Sequence, residues 1–283
     1  MTTMHTVAET LSRAARTLAQ RSESPRLDAE VLLGKVLGVA RTALILRGPE
    51  PLAVDALREF QGMIDRRAGG MPIAYLTGTR EFWSLALKVT PAVLVPRPET
   101  EILVELALAL LPNTDERSVL DLGTGSGAVA LAIASERPRA RVTGVDISPA
   151  ALGVARDNSH ALELSRIAWR LGCWFDAVPG ERFDLVAANP PYVAVGDPAL
   201  DALAAEPALA LSSGPTGLEA LAAIAAGAAA HLKSGGWLLL EHGSGQSRDV
   251  AQLLEHHGFE HIRSHNDYSG RPRVTLGTLH SPH

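Results

Sequence analysis

Apolar residues in the first quarter of the chain recur every three to four positions, which is the spacing of one helix face. The pattern is clearest from Val7 to Leu18. A second helix follows Ser24-Pro25 and is expected to stop at Gly38, because glycine often closes helices. No strand signal precedes residue 76, so residues 1–75 are predicted to form a small helical bundle. The predicted helices span residues 7–18, 25–37, 41–46 and 54–66.

Residues 76–98 have a different pattern, with short apolar runs broken by glycine and proline. This texture predicts a hairpin followed by an extended connection. A helix is then expected from Glu99 to Leu111, because Pro112 cannot continue it.

From residue 118 onward, predicted strands and helices alternate. Such alternation indicates a parallel sheet covered by helices on both faces. The last two strands are expected to pair antiparallel. The chain is therefore predicted to be an α/β protein with a doubly wound, mostly parallel, seven-stranded Rossmann-like sheet. The predicted strands span residues 119–122, 141–145, 167–171, 183–188, 236–241, 259–265 and 274–279, and the helices span 128–134, 149–161, 218–232 and 247–257.

Charge is distributed unevenly along the chain, whose formal net charge is -5. Residues 1–80 carry eleven Lys and Arg against eight Asp and Glu, whereas residues 81–283 carry fifteen against twenty-three. The acidic larger part lacks the basic surface typical of stable nucleic-acid binding. No stable nucleic-acid binding is therefore expected.

The chain contains one cysteine, Cys173, so no intrachain disulfide can form and a reducing compartment fits. The N-terminus has no apolar segment typical of a signal peptide. The longest apolar stretch, residues 220–232, is shorter than the roughly 20 residues that span a membrane. A cytoplasmic protein without membrane association is expected.

A glycine-rich turn follows the first strand of the predicted sheet. It reads Gly123, Thr124, Gly125, Ser126 and Gly127, directly after Asp121-Leu122. Three glycines let the backbone approach a ligand closely, and the helix that follows presents free N–H groups. The same letters satisfy a dinucleotide-binding pattern, so a nicotinamide cofactor or a purely structural turn remains open at this point.

Asp146 ends the second strand of the sheet. A carboxylate in this position can accept hydrogen bonds from both hydroxyls of a ribose. Its alternative role is to cap the helix that begins near Pro149.

The most specific pattern is Asn189-Pro190-Pro191-Tyr192, which follows the strand 183–188. Two prolines make a stiff turn whose carbonyls are free acceptors. With the Asn189 side chain they can bind both hydrogens of an NH2 group, and Tyr192 is expected to form an aromatic wall. A bare structural turn is the alternative.

The glycine turn, the ribose-binding acid and Asn-Pro-Pro-Tyr, in this order, resemble class I methyltransferases that act on planar nitrogens. The chain is more closely similar to the release factor glutamine methyltransferase family (HemK/PrmC). The similar segments are 72–78, 80–83, 96–101, Glu206-Pro207, Ala210-Leu211, Gly217-Leu218, 240–243, Asp267-Tyr268 and 273–277.

This resemblance implies methyl transfer from S-adenosylmethionine to the glutamine amide of the Gly-Gly-Gln motif in class I peptide-chain release factors. Residues 123–127 would bind the methionine moiety and Asp146 the ribose, while Trp174 would pack beside adenine. Asn189 to Tyr192 would hold the glutamine, with Asn189 also touching the cofactor and Asn189, Pro190 and Tyr192 acting in catalysis. Residues 99–283 would be the methyltransferase domain, and residues 1–75 would recognise the substrate.

Several further features are weaker or depart from the family pattern. Cys173 stands where several relatives have an acidic residue, which puts a polar contact to adenine in doubt, and it is interpreted as a small core residue. His256, His257 and His261 lack carboxylate or cysteine companions, so no metal is expected. Arg97, Glu99 and Glu101 are either functional near the pocket or a capping cluster.

Three other functions remain as alternatives to release-factor methylation. A methyltransferase for an exocyclic nitrogen of a DNA or RNA base could use the same tetrapeptide on a flipped-out base. A nicotinamide-dependent oxidoreductase would leave Asn-Pro-Pro-Tyr without a role, and a non-catalytic binder would leave a complete set of pocket residues unused.

Overall fold

A computed structural model describes residues 5–280. The first four and last three residues of the predicted domains lie outside this range. The chain divides into two compact units, the first ending at Gly78 and the second beginning at Thr79.

The first unit is a bundle of five helices. The four helices predicted from the sequence are present, and the short helix α5 is additional, starting after Pro72. Helix α1 begins at a reciprocal cap, since Thr6 and Glu9 each bond the other's backbone N–H. The helices are α1 Val7–Leu18, α2 Pro25–Leu37, α3 Ala43–Leu46, α4 Val54–Ala68 and α5 Ile73–Thr77.

The second unit opens with the predicted hairpin and continues into the predicted alternating α/β region. Its strands are β1 Thr79–Phe82, β2 Leu85–Lys88, β3 Ser118–Leu122, β4 Arg141–Asp146, β5 Ala168–Leu171, β6 Phe183–Ala188, β7 Leu232–Glu241, β8 Phe259–Asn266 and β9 Pro272–Leu279. Its α-helices are α6 Glu101–Leu110, α7 Ala128–Glu136, α8 Pro149–Ala161, α9 Ala199–Ala202, α10 Glu219–His231 and α11 Ser247–His256. Single 3-10 turns lie at Pro98–Thr100, Trp174–Ala177 and Ala208–Ala210.

The central sheet has seven strands in the order β5-β4-β3-β6-β7-β9-β8. The pairs among β5, β4, β3, β6 and β7 are parallel, and β9 pairs antiparallel with both β7 and β8. The predicted doubly wound, mostly parallel fold is thereby confirmed. Because β4 and β6 lie on opposite sides of β3, the chain reverses its direction of winding there, which creates a crevice beyond the strand ends.

Alternate residues of the central strands pack into two separate cores, one on each face of the sheet. Val119 and Leu185 contact the core that includes α6 and α7, whereas Leu120 and Val186 contact the core that includes α10 and α11. Burial on both faces explains why these strands read as continuous apolar runs. Among the described helices, none is long and apolar enough to cross a membrane.

Several boundaries differ from the prediction by one or two residues, and the start of β7 differs by four. Strand β7 begins at Leu232 rather than at Gly236, and helix α10 ends one residue earlier. Residues 233–236 have a sequence typical of a turn, but they belong to β7. Leu232 already pairs with Phe183, and the β6–β7 register shifts between this pair and the next one, Leu185 with Trp237. The short helix α9 was also not predicted, because four residues carry too little periodicity.

One buried side chain ties three parts of the second unit together. Asn158 of α8 accepts a hydrogen bond from Lys88 N at 2.6 Å. Its side-chain nitrogen donates to Lys88 O at 3.0 Å and to Ser126 O at 2.9 Å. Asn158 therefore fixes both the hairpin and the glycine-rich turn.

We expect Asn158→Ala to destabilise the second unit by about 2–4 kcal/mol, because it leaves three backbone groups without their partner. The control is Asp157→Ala, whose exposed ion pair with Lys88 should contribute at most about 0.5 kcal/mol. Urea unfolding followed by tryptophan fluorescence reports on this unit alone, since all four tryptophans lie in it. Equal midpoints for the two variants would contradict the assignment.

Candidate active site

The carboxyl ends of β3, β4 and β6 border a cavity of about 460 Å³. Its walls come from the loop before α6, the glycine-rich turn, the loop after β4, the turn after β5, and two segments that follow β6. This position and size are typical of small-molecule sites in open α/β sheets.

Four residues of the glycine-rich turn line the cavity, namely Gly123, Thr124, Gly125 and Ser126. The backbone N–H groups of Gly123 and Thr124 both donate to Val145 O at 2.9 Å, which holds the turn against β4. The turn therefore presents backbone rather than bulky side chains to a ligand.

Gly127 does not line the cavity, and its role is to shape the start of α7. It precedes α7 with a φ of 84°, and a Cβ there would come within 2.9 Å of the Trp169 ring. A side chain at this position would therefore combine backbone strain with a clash.

Asp146 lies at the cavity wall and is tied to the backbone on two sides. Its Oδ2 accepts from Gly125 N at 2.8 Å, and its Oδ1 accepts from Ser148 N at 2.8 Å. Burial raises the pKa of Asp146, and these hydrogen bonds partly offset that rise. The side chain that caps α8 is that of Ser148, so Asp146 does not have the alternative capping role.

Asp121 also lines the cavity, although the sequence pattern predicted no role for it. Its carboxylate accepts from Thr124 Oγ1 and from Ala130 N at 3.2 Å. Burial raises its pKa to about 7, and the charge of Asp146 adds to the rise. Its place near the end of β3, just before the glycine-rich turn, is the sequence signal that could have identified it.

Trp174 and Cys173 line the cavity from the segment that follows β5. The Trp174 ring lies 3.5 Å from the position that a Cβ on Gly123 would occupy. The interpretation of Cys173 as a core residue is wrong, because its side chain is exposed. It belongs to the turn between β5 and a 3-10 turn, where strand ends open to solvent.

Asn189 and Pro191 also line the cavity. The Asn189 side-chain nitrogen donates to Thr100 Oγ1 at 3.0 Å, which fixes the orientation of the amide. In this orientation the side-chain oxygen is available as an acceptor. Thr100 is buried at the start of α6 and lines the cavity too, so the helix start determines how Asn189 points.

Pro190 and Tyr192 are not among the lining residues, although they flank Pro191. Pro190 is buried, and the Tyr192 ring packs against the core that contains α10 and α11. Burial raises the pKa of Tyr192 to about 12, and the negative charge of Glu241 adds to that rise. The Tyr192 carbonyl accepts from Gln246 Nε2 at 3.0 Å, which anchors the motif to the start of α11.

Arg97 and Glu101, two of the three charged residues near position 98, have different partners. Arg97 lines the cavity and pairs with the buried Glu206, which also accepts from Val95 N at 3.0 Å. Glu101 instead accepts from Trp83 N at 2.9 Å in the hairpin. The Arg97–Glu206 pair thus joins the loop before α6 to the loop after the Asn-Pro-Pro-Tyr motif.

The C-terminal histidines are spread over two elements. His257 closes α11, and His261 lies in β8. Over residues 5–280, no group of three or more His, Cys, Asp or Glu side chains could hold a metal ion.

Two family models match the chain, the PrmC N-terminal domain over residues 9–78 and the methyltransferase small domain over residues 99–213. A release factor glutamine methyltransferase from Xylella fastidiosa is 50% identical over 254 residues, covering 89% of this chain and 92% of that protein. The protein of the same name from Escherichia coli is 43% identical over 267 residues, covering 94% and 96%.

A methyltransferase from Pyrococcus furiosus has a similar fold, with a TM-score of 0.54 and 18% identity. The alignment covers 78% of this chain and 98% of that one. At this identity the likeness concerns the fold alone.

We expect binding of S-adenosylmethionine to tighten as the pH rises toward 7 and to level off above it. Below pH 7 the Asp121 carboxyl is mostly neutral in the free protein, and a cationic ligand favours the carboxylate. Binding near pH 6 should therefore release protons, and Asp121→Asn should reduce that release. Calorimetry in two buffers with different ionisation enthalpies measures it.

The control ligand for this experiment is S-adenosylhomocysteine, which lacks the sulfonium charge and should show a weaker pH dependence. Equal pH dependence in the wild-type protein and Asp121→Asn would contradict the role of Asp121.

Proposed function

The chain belongs to the release factor glutamine methyltransferase family, and on that premise we propose that it methylates the glutamine of the Gly-Gly-Gln motif in class I peptide-chain release factors. The acceptor atom is the side-chain amide nitrogen. The observation that carries this proposal is the oriented Asn189 side chain, on the wall of a cavity that the glycine-rich turn also lines.

The residues at the other end of the cavity suit the methyl donor, S-adenosylmethionine. Asp146 offers carboxylate lone pairs to ribose hydroxyls, Trp174 offers a flat apolar surface to adenine, and residues 123–126 offer close backbone approach. When bound, the donor supplies an activated methyl group, and the protein supplies placement.

An amide nitrogen is a weak nucleophile because its lone pair is delocalised into the carbonyl. A general base would contribute little before attack, since a neutral amide is very weakly acidic. Acceptors from Asn189 Oδ1 and a backbone carbonyl of the Asn-Pro-Pro-Tyr turn would instead bind the two N–H groups. They would orient the nitrogen and stabilise the positive charge that develops on it as the C–S bond of the donor breaks and S-adenosylhomocysteine leaves. One amide proton then leaves after methyl transfer.

Residues 1–75 are proposed to recognise the protein substrate rather than to take part in chemistry. The side chains of Ile45 and Leu46 on α3 are exposed, at 77% and 85%. Adjacent exposed apolar residues are typical of contact surfaces for a protein partner. We also propose a cytoplasmic location, where translation terminates and where a single cysteine stays reduced.

Methylation of an exocyclic base nitrogen has less support. Arg97 is the one Lys or Arg side chain in the cavity lining within residues 5–280, and its guanidinium already pairs with Glu206. Nucleic-acid sites need cations that remain free for phosphates.

Mass spectrometry should detect one added methyl group on the Gly-Gly-Gln glutamine after a release factor is incubated with the enzyme and S-adenosylmethionine. A release factor in which this glutamine is replaced should gain none, and neither should DNA or RNA. Methyl transfer to nucleic acid alone would overturn the proposal.

If residues 1–75 recognise the protein, a short Gly-Gly-Gln peptide should be a much poorer substrate than the intact factor, and equal rates would exclude that role.

We expect Asn189→Ala to lower kcat on a release factor on the order of a hundredfold, as loss of a preorganised polar contact does elsewhere. Asn189→Asp should retain intermediate activity, because the Thr100 hydroxyl can donate to a carboxylate. The matched control is Asn266→Ala, an exposed asparagine at the end of the edge strand β8. Wild-type turnover in Asn189→Ala would refute the mechanism while leaving the family assignment intact.

A further inference from the structure

Glu241 occupies a position beside Asn189 that follows from the sheet register. Strands β6 and β7 are parallel, and Ala188 pairs with Leu240 as the last pair. Asn189 and Glu241 are the next residues of the two strands, so they emerge next to each other at the same edge.

Burial at this position is costly for a carboxyl group. Glu241 is 1% exposed, and neither of its oxygens has a hydrogen-bond partner among residues 5–280. The hydroxyls of Thr100 and Tyr192 lie close enough to lower its pKa, yet neither completes a hydrogen bond to it. A buried acceptor without a partner is rare in proteins and needs an explanation.

Thr100 connects this carboxyl group to the proposed substrate-binding amide. Its Oγ1 accepts the hydrogen bond from Asn189, so the hydroxyl hydrogen remains to be donated elsewhere. Glu241 is the adjacent acceptor. A Thr100 hydroxyl that turns its hydrogen toward Glu241 presents its lone pairs to the Asn189 nitrogen, and the Asn189 oxygen then stays free for a substrate.

We propose that Glu241 is a positioning residue for methyl transfer, which acts through Thr100 to orient Asn189 and places a negative charge behind the substrate amide. This inference rests on the proposed function. Positive charge develops on the substrate nitrogen during transfer, so a fixed carboxylate at this edge favours the transition state over the bound substrate.

The charged groups around Glu241 determine when it is ionised. Arg273 of β9 favours the carboxylate, whereas Glu99 in the turn before α6 opposes it, and burial dominates by raising the pKa to about 7. Tyr192 stays neutral because its own pKa is raised. His242, the next residue, bonds Thr275 at 2.8 Å, and burial lowers its pKa. The carboxylate fraction therefore increases as the pH rises through 7.

The first test is Glu241→Gln, assayed with a release factor at saturating S-adenosylmethionine. Because Glu241 would act through another residue, we expect kcat to fall about tenfold, less than for a group in direct contact. KM for the release factor and affinity for S-adenosylhomocysteine should remain within about twofold. The matched control is Asp184→Asn, which also replaces a carboxylate by an amide. Asp184 lies near the start of β6, at the end of the strand away from Asn189. The control should keep wild-type kcat.

The second test asks whether Glu241 works through Thr100. Thr100→Val should lower kcat, Thr100→Ser should restore most of it, and adding Glu241→Gln to Thr100→Val should cost little more. In the wild-type enzyme, kcat should rise with pH through about 7, and Thr100→Val should weaken that rise. These profiles decide the question even if Glu241→Gln does not fold.

Unchanged kcat in Glu241→Gln, or fully multiplicative effects in the double variant, would overturn this inference alone, provided that the wild-type enzyme methylates the release factor. A wild-type enzyme without that activity would overturn the proposed function, and this inference with it.

Discussion

The parallel register of four strands organises the whole site. Leu122 pairs with Val145 and with Ala188, and Ala188 pairs with Leu240. The next residues along these strands are Gly123, Asp146, Asn189 and Glu241, so four polar or glycine positions follow one another across the sheet edge. Hydrophobic burial on both faces fixes this register, because a slip of one residue would exchange the residues that face the two cores. The position of each functional group is therefore set by apolar packing some distance away.

Several carboxyl groups lie at this edge of the sheet, and they differ in their hydrogen-bond partners. Asp121 and Asp146 accept hydrogen bonds from backbone N–H groups, which partly offset the penalty of burial. Glu241 has no such support within residues 5–280. All three have raised pKa values, and nearby Arg97 is already paired with Glu206. An edge rich in carboxyl groups and short of free cations suits a ligand with positive charge, such as a sulfonium donor, better than a polyphosphate or nucleic acid.

The sequence was most informative where local pattern decides structure. Periodicity predicted four of the five helices of the first unit and the order of the α/β elements, because burial of one helix face or of whole strands leaves a clear pattern in the chain. The glycine-rich turn, Asp146 and Asn189 were located because each follows a predicted strand, and their proposed roles stay predictions. The sequence could not reveal that Thr100 binds Asn189 or that Glu206 binds Arg97, since these partners are 89 and 109 residues apart. Cys173 was misplaced for a related reason, because exposure in a turn depends on neighbouring elements rather than on residue type.

The two ends of the cavity are held in place by different kinds of contact, and this difference affects specificity for the methyl acceptor. At the glycine-rich end, most of the contacts that hold the turn include a backbone group of the turn itself, as in the bonds from the N–H groups of Gly123 and Thr124 to Val145 O and from Gly125 N–H to Asp146. Such contacts tolerate changes in most side chains, which fits a donor shared by many methyltransferases. At the Asn189 end, orientation depends on side chains, with Thr100 holding Asn189 and Glu206 holding Arg97. Side-chain contacts from distant segments are easier to alter than a backbone turn. The acceptor specificity of this fold can therefore change while the donor site stays the same.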